Sequence, residues 1–282
     1  MAETNRNTYA QMVHQAKQRY PQHAHLCQRL LCDRLDWTLT DFMLHAHKEP
    51  SIAYCQQYEH DLIELHSGKP LQYIVGKEWF YARAFKVTPD TLIPRPETEL
   101  LVEHALSLLE HYEQASILDI GTGTGAIGIT MKCQRVQDTV VLSDISLPAL
   151  AVARENAKML QADVTCVQSD VFSHIQGTFD CILSNPPYIS KQEVSQVDKH
   201  VLEYEPHLAL FAEHQGLAIY EKIAREIAMY LKPNGHAVFE CGYQQAEQVK
   251  EMFQSVFPKK DITIYQDYAG LDRGIIIQGG AR

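Results

Sequence analysis

The chain has 282 residues, 45% of them hydrophobic, and a formal net charge of −10. That length suffices for one large α/β domain and a smaller one, each with its own core. The acidic balance argues against a general affinity for duplex DNA, which depends on neutralising phosphates.

The first 68 residues are expected to form a separate helical bundle. Thr8 to Arg19, His25 to Leu35, Thr40 to His47 and Ser51 to Ser67 carry apolar residues at mixed three and four spacing, with Pro21, Trp37-Thr38 and Pro50 between them. Residues 1–68 are thus predicted to hold a substrate or partner. Residues 69–95 are predicted to be a β-hairpin linker, because Trp79-Phe-Tyr and Phe85-Lys-Val-Thr flank Ala-Arg-Ala. The linker has five Lys/Arg against two Asp/Glu, whereas residues 96–282 have fourteen against twenty-five.

Leu92-Ile-Pro-Arg-Pro-Glu-Thr-Glu99 enters a helix with Pro96 in its first turn. Arg95 and Glu97 fall where that helix starts and are candidates to order an active-site rim. Strands are then expected near 116–119, 139–144, 163–168, 179–184, 236–241, 262–265 and 273–278, with helices near 125–133, 147–161, 216–231 and 243–256. Such alternation predicts a mostly parallel sheet covered on both faces, with the last strand inserted antiparallel.

Two strand ends carry the chemistry. Ser116-Ile-Leu-Asp-Ile-Gly-Thr-Gly-Thr-Gly125 runs from a strand into a glycine-rich turn and a helix. Backbone can approach a ligand closely at Gly121, Gly123 and Gly125, and the helix N-terminus suits a carboxylate. Asp144, nineteen residues after Gly125, ends the next strand and is placed for ribose hydroxyls. Gly123, Gly125 and Gly128 also satisfy G-x-G-x-x-G, so a nicotinamide-dependent oxidoreductase is a rival reading. Asp119 favours S-adenosylmethionine instead, since it would face the donor's amino group or sulfonium and repel a pyrophosphate. Asp170 is expected to accept from the adenine amino group, with Val171 and Phe172 packed on the ring.

The second strand end is Asn185-Pro186-Pro187-Tyr188, after the apolar run Phe179 to Ser184. The lone pair of a carboxamide nitrogen is delocalised into its carbonyl. The Asn185 side-chain oxygen and the Pro186 carbonyl can each accept one N–H, favouring a pyramidal nitrogen whose lone pair faces a methyl donor. Prolines with φ fixed at about −65° stiffen the loop, and the Tyr188 ring is expected to stack on the flat amide. The same clamp would serve the exocyclic amine of a flipped adenine, so adenine-N6 methylation of nucleic acid is the alternative activity.

No run of about eighteen apolar residues exists, so no membrane span is expected and the cytoplasm is the expected compartment. The seven cysteines include no C-x-x-C pair, and the fourteen histidines include no H-E-x-x-H, so neither disulfides nor a metal is expected.

Taken in order, Pro70-Leu-Gln-Tyr-Ile-Val-Gly76, Leu92 to Glu99, Asp119 to Gly128, Ser184-Asn-Pro-Pro-Tyr-Ile189, Glu205-Pro206 with Ala209-Leu210, and Gly270-Leu-Asp-Arg273 make a set. By it the chain resembles the protein-(glutamine-N5) methyltransferases of peptide chain release factors, the PrmC or HemK family. The resemblance covers most of the chain from Pro70 onward. It implies a class I S-adenosylmethionine-dependent methyltransferase fold, Rossmann-like with a seven-stranded sheet, behind a helical N-terminal domain. The implied substrate is the Gly-Gly-Gln glutamine of class 1 release factors, the co-product S-adenosylhomocysteine, and no direct nucleic-acid binding is expected. By resemblance the donor loop falls on Gly121, Thr122, Gly123, Thr124 and Gly125, the ribose acid on Asp144, the adenine contact on Asp170 and Val171, and the amide clamp on Asn185 to Tyr188. Two positions depart from the family pattern: Cys241 stands where an aliphatic is usual, and Val171 where larger apolar residues occur.

Overall fold

The computed structural model of the chain describes residues 7–280. It divides into two compact units, residues 1–77 and 78–282.

The first unit is helical: α1 (Tyr9–Arg19), α2 (Ala24–Leu35), α3 (Leu39–His45), α4 (Ile52–His66) and α5 (Leu71–Val75). Caps explain the helix starts. Thr8 and Thr38 each form a reciprocal capping box, with Gln11 and Asp41, and the Ser51 hydroxyl accepts from Tyr54 N–H. Cys27, Leu30, Leu31, Tyr58 and Leu62 fill the core, joined by Leu71 and Ile74 of α5. That packing is why residues beyond 68 belong to the helical unit; α5 is too short for its periodicity to stand out in the sequence. Buried Asp61 accepts two hydrogen bonds from Arg34 (2.8 and 2.9 Å), which also donates to the Ile74 carbonyl (2.7 Å). A charge buried this way is tolerated because it is paired and fully hydrogen-bonded.

The hairpin β1 (Lys77–Phe80) and β2 (Arg83–Lys86) follows, turning at Tyr81 and Ala82, both left-handed. The second unit continues with α6 (Glu99–Leu108), β3 (Ser116–Ile120), α7 (Ala126–Gln134), β4 (Thr139–Asp144), α8 (Leu147–Met159), β5 (Thr165–Gln168) and β6 (Phe179–Ser184). Short elements come next: β7 (Ile189–Ser190), α9 (Lys199–Tyr204), α10 (His207–Leu210) and β8 (Phe211–Ala212). The chain then forms α11 (Ala218–Tyr230), β9 (Leu231–Glu240), α12 (Ala246–Val256), β10 (Asp261–Gln266) and β11 (Asp272–Gln278).

The main sheet has seven strands in the order β10-β11-β9-β6-β3-β4-β5, parallel except that β11 runs antiparallel to both neighbours. Its central strands read as near-continuous apolar runs because both faces are covered. One face carries Phe172, Tyr220, Ile223, Phe239 and Phe253, and the other Leu101, Ile117, Ile129, Leu142 and Leu183. This is the seven-stranded, mostly parallel architecture expected from the alternation. From β3 the order proceeds to β4 and β5 on one side and to β6 and β9 on the other, so a crevice opens at the carboxyl ends of β3 and β6.

Candidate active site

A cavity of about 380 Å³ occupies that crevice, within the usual size range of a small-molecule site. Its wall includes Gly121 to Thr124 after β3, Asp144 at the end of β4, Asp170 and Val171 after β5, and Asn185 to Pro187 after β6. Thr98 and Arg95 line it from the segment leading into α6.

The glycines of the β3–α7 turn divide by role. Gly121 and Gly123 hold left-handed φ values of +69° and +55°, and a Cβ on either would meet nothing within 4 Å, so backbone alone borders the space there. Gly125 and Gly128 serve close packing: a Cβ on Gly125 would lie 2.5 Å from Ile129, and one on Gly128 would lie 2.2 Å from Leu142. The third glycine of the G-x-G-x-x-G pattern thus answers to helix–strand packing.

Asp119 departs from expectation. It is fully buried beneath the turn and does not line the cavity; Oδ2 accepts from Thr122 Oγ1 (2.6 Å) and Gly128 N–H (3.0 Å). Through Oδ2 it holds the turn, while its buried Oδ1 has no hydrogen-bond partner among the described residues. Burial pushes its pKa up to about 6, against the lowering effect of those two hydrogen bonds. Asp144 takes the N–H of Gly123 on Oδ2 and that of Ser146 on Oδ1, both at 2.9 Å. Burial raises its pKa, opposed by these donors. Its oxygens keep lone pairs for two vicinal hydroxyls at the cavity wall. Buried Asn156 supports the same turn from α8, donating to the carbonyls of Thr124 (2.9 Å) and Lys86 (3.0 Å).

Asp170 lines the cavity half-exposed and pairs with Lys222 of α11 (2.9 Å). Val171 lines it too, at φ +53°, a costly region for a β-branched residue, with its carbonyl accepting from Ser169 Oγ (2.9 Å). Phe172 does not reach the cavity, contrary to expectation: it is buried and stacked on Tyr230 at 4.4 Å.

Asn185 Nδ2 donates to Thr98 Oγ1 (3.2 Å), and Thr98 Oγ1 donates to Glu240 Oε2 (2.7 Å). The Asn185 amide therefore turns its NH2 toward the protein and has its oxygen to present to the cavity. Ser184 anchors the strand end through Oγ to the Ile120 carbonyl (2.7 Å). Tyr188 departs from expectation. Its partly buried ring packs against the hydrophobic cluster and is absent from the cavity wall, and its carbonyl accepts from Gln245 Nε2 (2.9 Å). The motif specifies the residue but not the face on which its ring settles. Glu97 is exposed and does not line the cavity. Arg95 does, and it pairs with Glu205, which also accepts from Ile93 N–H (3.1 Å).

Thr98 and Glu205 stand within the motifs that carry the family resemblance but no role follows from the sequence for either, and Glu240 and Asn156 lie outside those motifs. Glu240 carried a usable signal, an acid ending the apolar run Ala237-Val-Phe-Glu240, as Asp144 ends its own strand. Elsewhere, His60, Asp61 and Glu64 bring possible ligand atoms within 4.8 Å of one another, but Asp61 is already taken by Arg34 and Gln57. Among the described residues no helix is long and apolar enough to cross a membrane.

Comparison with known proteins agrees with this architecture. Residues 96–207 match the methyltransferase small domain and residues 10–76 the PrmC N-terminal domain. The solved hMettl16 catalytic domain shares the fold, with a TM-score of 0.56 and 14% identity over 82% of this chain and 93% of that one. The chain is 42% identical over 245 residues to the release factor glutamine methyltransferase of Streptococcus pneumoniae, covering 86% of this chain and 87% of the relative. It is 48% identical over 214 residues to that of Lactococcus lactis, covering 76% and 79%. Matched at this identity along most of its length, the chain belongs to the release factor glutamine methyltransferase family.

Proposed function

We propose that this chain transfers a methyl group from S-adenosylmethionine to the side-chain nitrogen N5 of the glutamine in the Gly-Gly-Gln motif of class 1 release factors. The observation that carries the reading is the Asn185 amide, held by its NH2 end with its oxygen left for the cavity, beside a glycine turn and a ribose-type acid in the same crevice. When bound, the sulfonium donor supplies an electrophilic methyl group. Gly121 and Gly123 leave room against the backbone for the donor, and Asp144 receives its ribose hydroxyls. Val171 packs on the adenine face, with Asp170 accepting from the adenine amino group in exchange for its contact with Lys222. The helix dipole of α7 favours the donor's carboxylate.

At the other end of the cavity, Asn185 Oδ1 and the Pro186 carbonyl accept the two N–H groups of the substrate amide. Localising the nitrogen lone pair in this way aligns it with the methyl carbon. The N–C bond forms as the C–S bond breaks, the bonding pair passes to sulfur, and the nitrogen loses one proton to solvent. Pro187 stiffens the clamp. Arg95 and Glu205 hold the rim through which the glutamine enters, and Tyr188 supports the loop from behind. Residues 7–77 hold the release factor, and the reaction takes place in the cytoplasm. The geometry would also admit an exocyclic amine, but the family similarity favours a protein substrate.

The test is incubation with a class 1 release factor and donor labelled in its methyl group. Label is expected in the Gly-Gly-Gln peptide; a release factor left unlabelled there excludes the reading.

A further inference from the structure

We propose that Glu240 is a positioning residue for methyl transfer: acting through Thr98, it dictates which end of the Asn185 amide faces the substrate. The inference rests on the functional reading above and adds a residue to it. The sheet register brings the group into place. Strand β9 pairs in parallel with β6, with Ser184 opposite Phe239, so the next step along each strand sets Asn185 beside Glu240. Thr98 enters from the turn before α6. Thr98 and Glu240 are both buried, at 5% and 2% exposure, so water does not substitute for either partner.

The donor and acceptor inventory then fixes every direction. In its ionised form, which prevails as pH rises through the raised pKa of about 7, the Glu240 carboxylate accepts and never donates, so the single hydroxyl proton of Thr98 is then committed to it (2.7 Å). Thr98 Oγ1 consequently meets Asn185 only as an acceptor (3.2 Å). Only the NH2 end of Asn185 can satisfy it, and Oδ1 is left for the cavity. With the amide reversed, Nδ2 would confront the N–H groups of the substrate, donor against donor, and the lone pair would not be localised.

A neutral glutamine would fill the same space at position 240 without the desolvation cost of a buried charge. However, glutamine carries both a donor and an acceptor, so it can hydrogen-bond Thr98 in either sense and leaves the direction undetermined. Burial raises the Glu240 pKa to about 7 and Glu97 adds to the rise, whereas hydrogen bonds from Thr98 and Asn185 and the charge of Arg273, on β11, favour the ionised form. The Tyr220 hydroxyl fixes the strand end by donating to the Glu240 carbonyl (2.5 Å).

The test combines kinetics with a direct view of the amide in the full chain. With a class 1 release factor and saturating S-adenosylmethionine, Thr98→Val and Glu240→Gln are each expected to lower kcat by about tenfold or more. The dissociation constant for S-adenosylhomocysteine should stay within about twofold, since positioning acts at the reacting nitrogen. Thr98→Ser, which keeps the hydroxyl, should recover most of the rate lost in Thr98→Val. Because the relay works only through Asn185, Thr98→Val added to Asn185→Ala should cost little more than Asn185→Ala alone. Full additivity, or a Thr98→Val enzyme at wild-type kcat, overturns the proposal.

Nuclear magnetic resonance provides an arm that is independent of activity. The Asn185 side-chain NH2 protons should show Overhauser contacts to the Thr98 methyl in the wild type, weakened in Glu240→Gln. If those contacts are absent in the wild type, the relay is wrong even where methylation of Gly-Gly-Gln proceeds. If they are present and Gly-Gly-Gln receives no methyl group, the orientation stands and the functional reading falls.

Discussion

Asn185 and Asp144 sit at two strand ends, and the proposed function gives them different roles, which makes their substitutions separable. Asn185→Ala removes an acceptor at the reacting nitrogen, and kcat should fall about a hundredfold or more while donor affinity hardly changes. On the proposed reading Asp144→Ala removes hydrogen bonds to the donor, and at about 1.5 to 3 kcal/mol for a charge-assisted bond its affinity should drop roughly ten- to hundredfold by calorimetry. Glu240 adds a pH signature. Burial, the leading cause, raises its pKa from the ordinary 4.5 to about 7, with Glu97 adding to the rise and Thr98, Arg273 and Asn185 opposing it. A carboxyl raised in the folded state favours folding while it is protonated. That contribution is complete below about pH 4.5, is lost as pH rises through about 7, and is on the order of 3 kcal/mol. Thermal unfolding should therefore show Glu240→Gln gaining stability relative to the wild type between pH 5 and pH 8. An unchanged difference across that range would contradict the buried charge.

Elements explain what the sequence made legible and what it hid. The strands ending at Ile120, Asp144, Ser184 and Glu240 are largely buried at their carboxyl ends, so each stands out as an apolar run, the last three closed by a polar residue and the first by the glycine turn. The glycine turn was legible for the same reason, because few other residues take its left-handed backbone. Between Ile189 and Ala212 the elements are too short for any period to register, and β7 and β8 are two residues each; tertiary pairing creates them. Side-chain direction was equally hidden at Asp119, Phe172 and Tyr188, whose positions were legible while the sides they face depended on packing. The glycines allow a matched test. Gly128→Ala forces a Cβ to 2.2 Å from Leu142, and overpacking should destabilise the chain by about 1 to 3 kcal/mol in denaturant unfolding. Gly121→Ala meets no neighbour but opposes its positive φ, with a smaller loss of about 1 kcal/mol and weaker donor binding, because the new methyl group enters the cavity.

On the scale of the whole molecule, the chain joins a helical unit with a complete core of its own to a catalytic unit that holds every candidate site residue. Residues 78–282 expressed alone should bind S-adenosylhomocysteine as the full chain does, while KM for the release factor rises by about tenfold or more through lost docking surface. Unaltered KM would remove the helical unit from substrate recognition. The acidic balance of the catalytic portion matches a cationic donor and a protein substrate better than a polyphosphate backbone, in keeping with the family to which the chain belongs.

The central claim is that a fixed amide at the end of β6 grips the substrate nitrogen. Its most direct measurement is quantitative mass spectrometry of the release-factor Gly-Gly-Gln peptide over time, with wild-type enzyme and Asn185→Ala at matched donor occupancy. One added methyl on the glutamine side chain, appearing about a hundredfold more slowly with the variant, is the expected result. Equal rates for the two enzymes, or a methyl group on another residue, would contradict it.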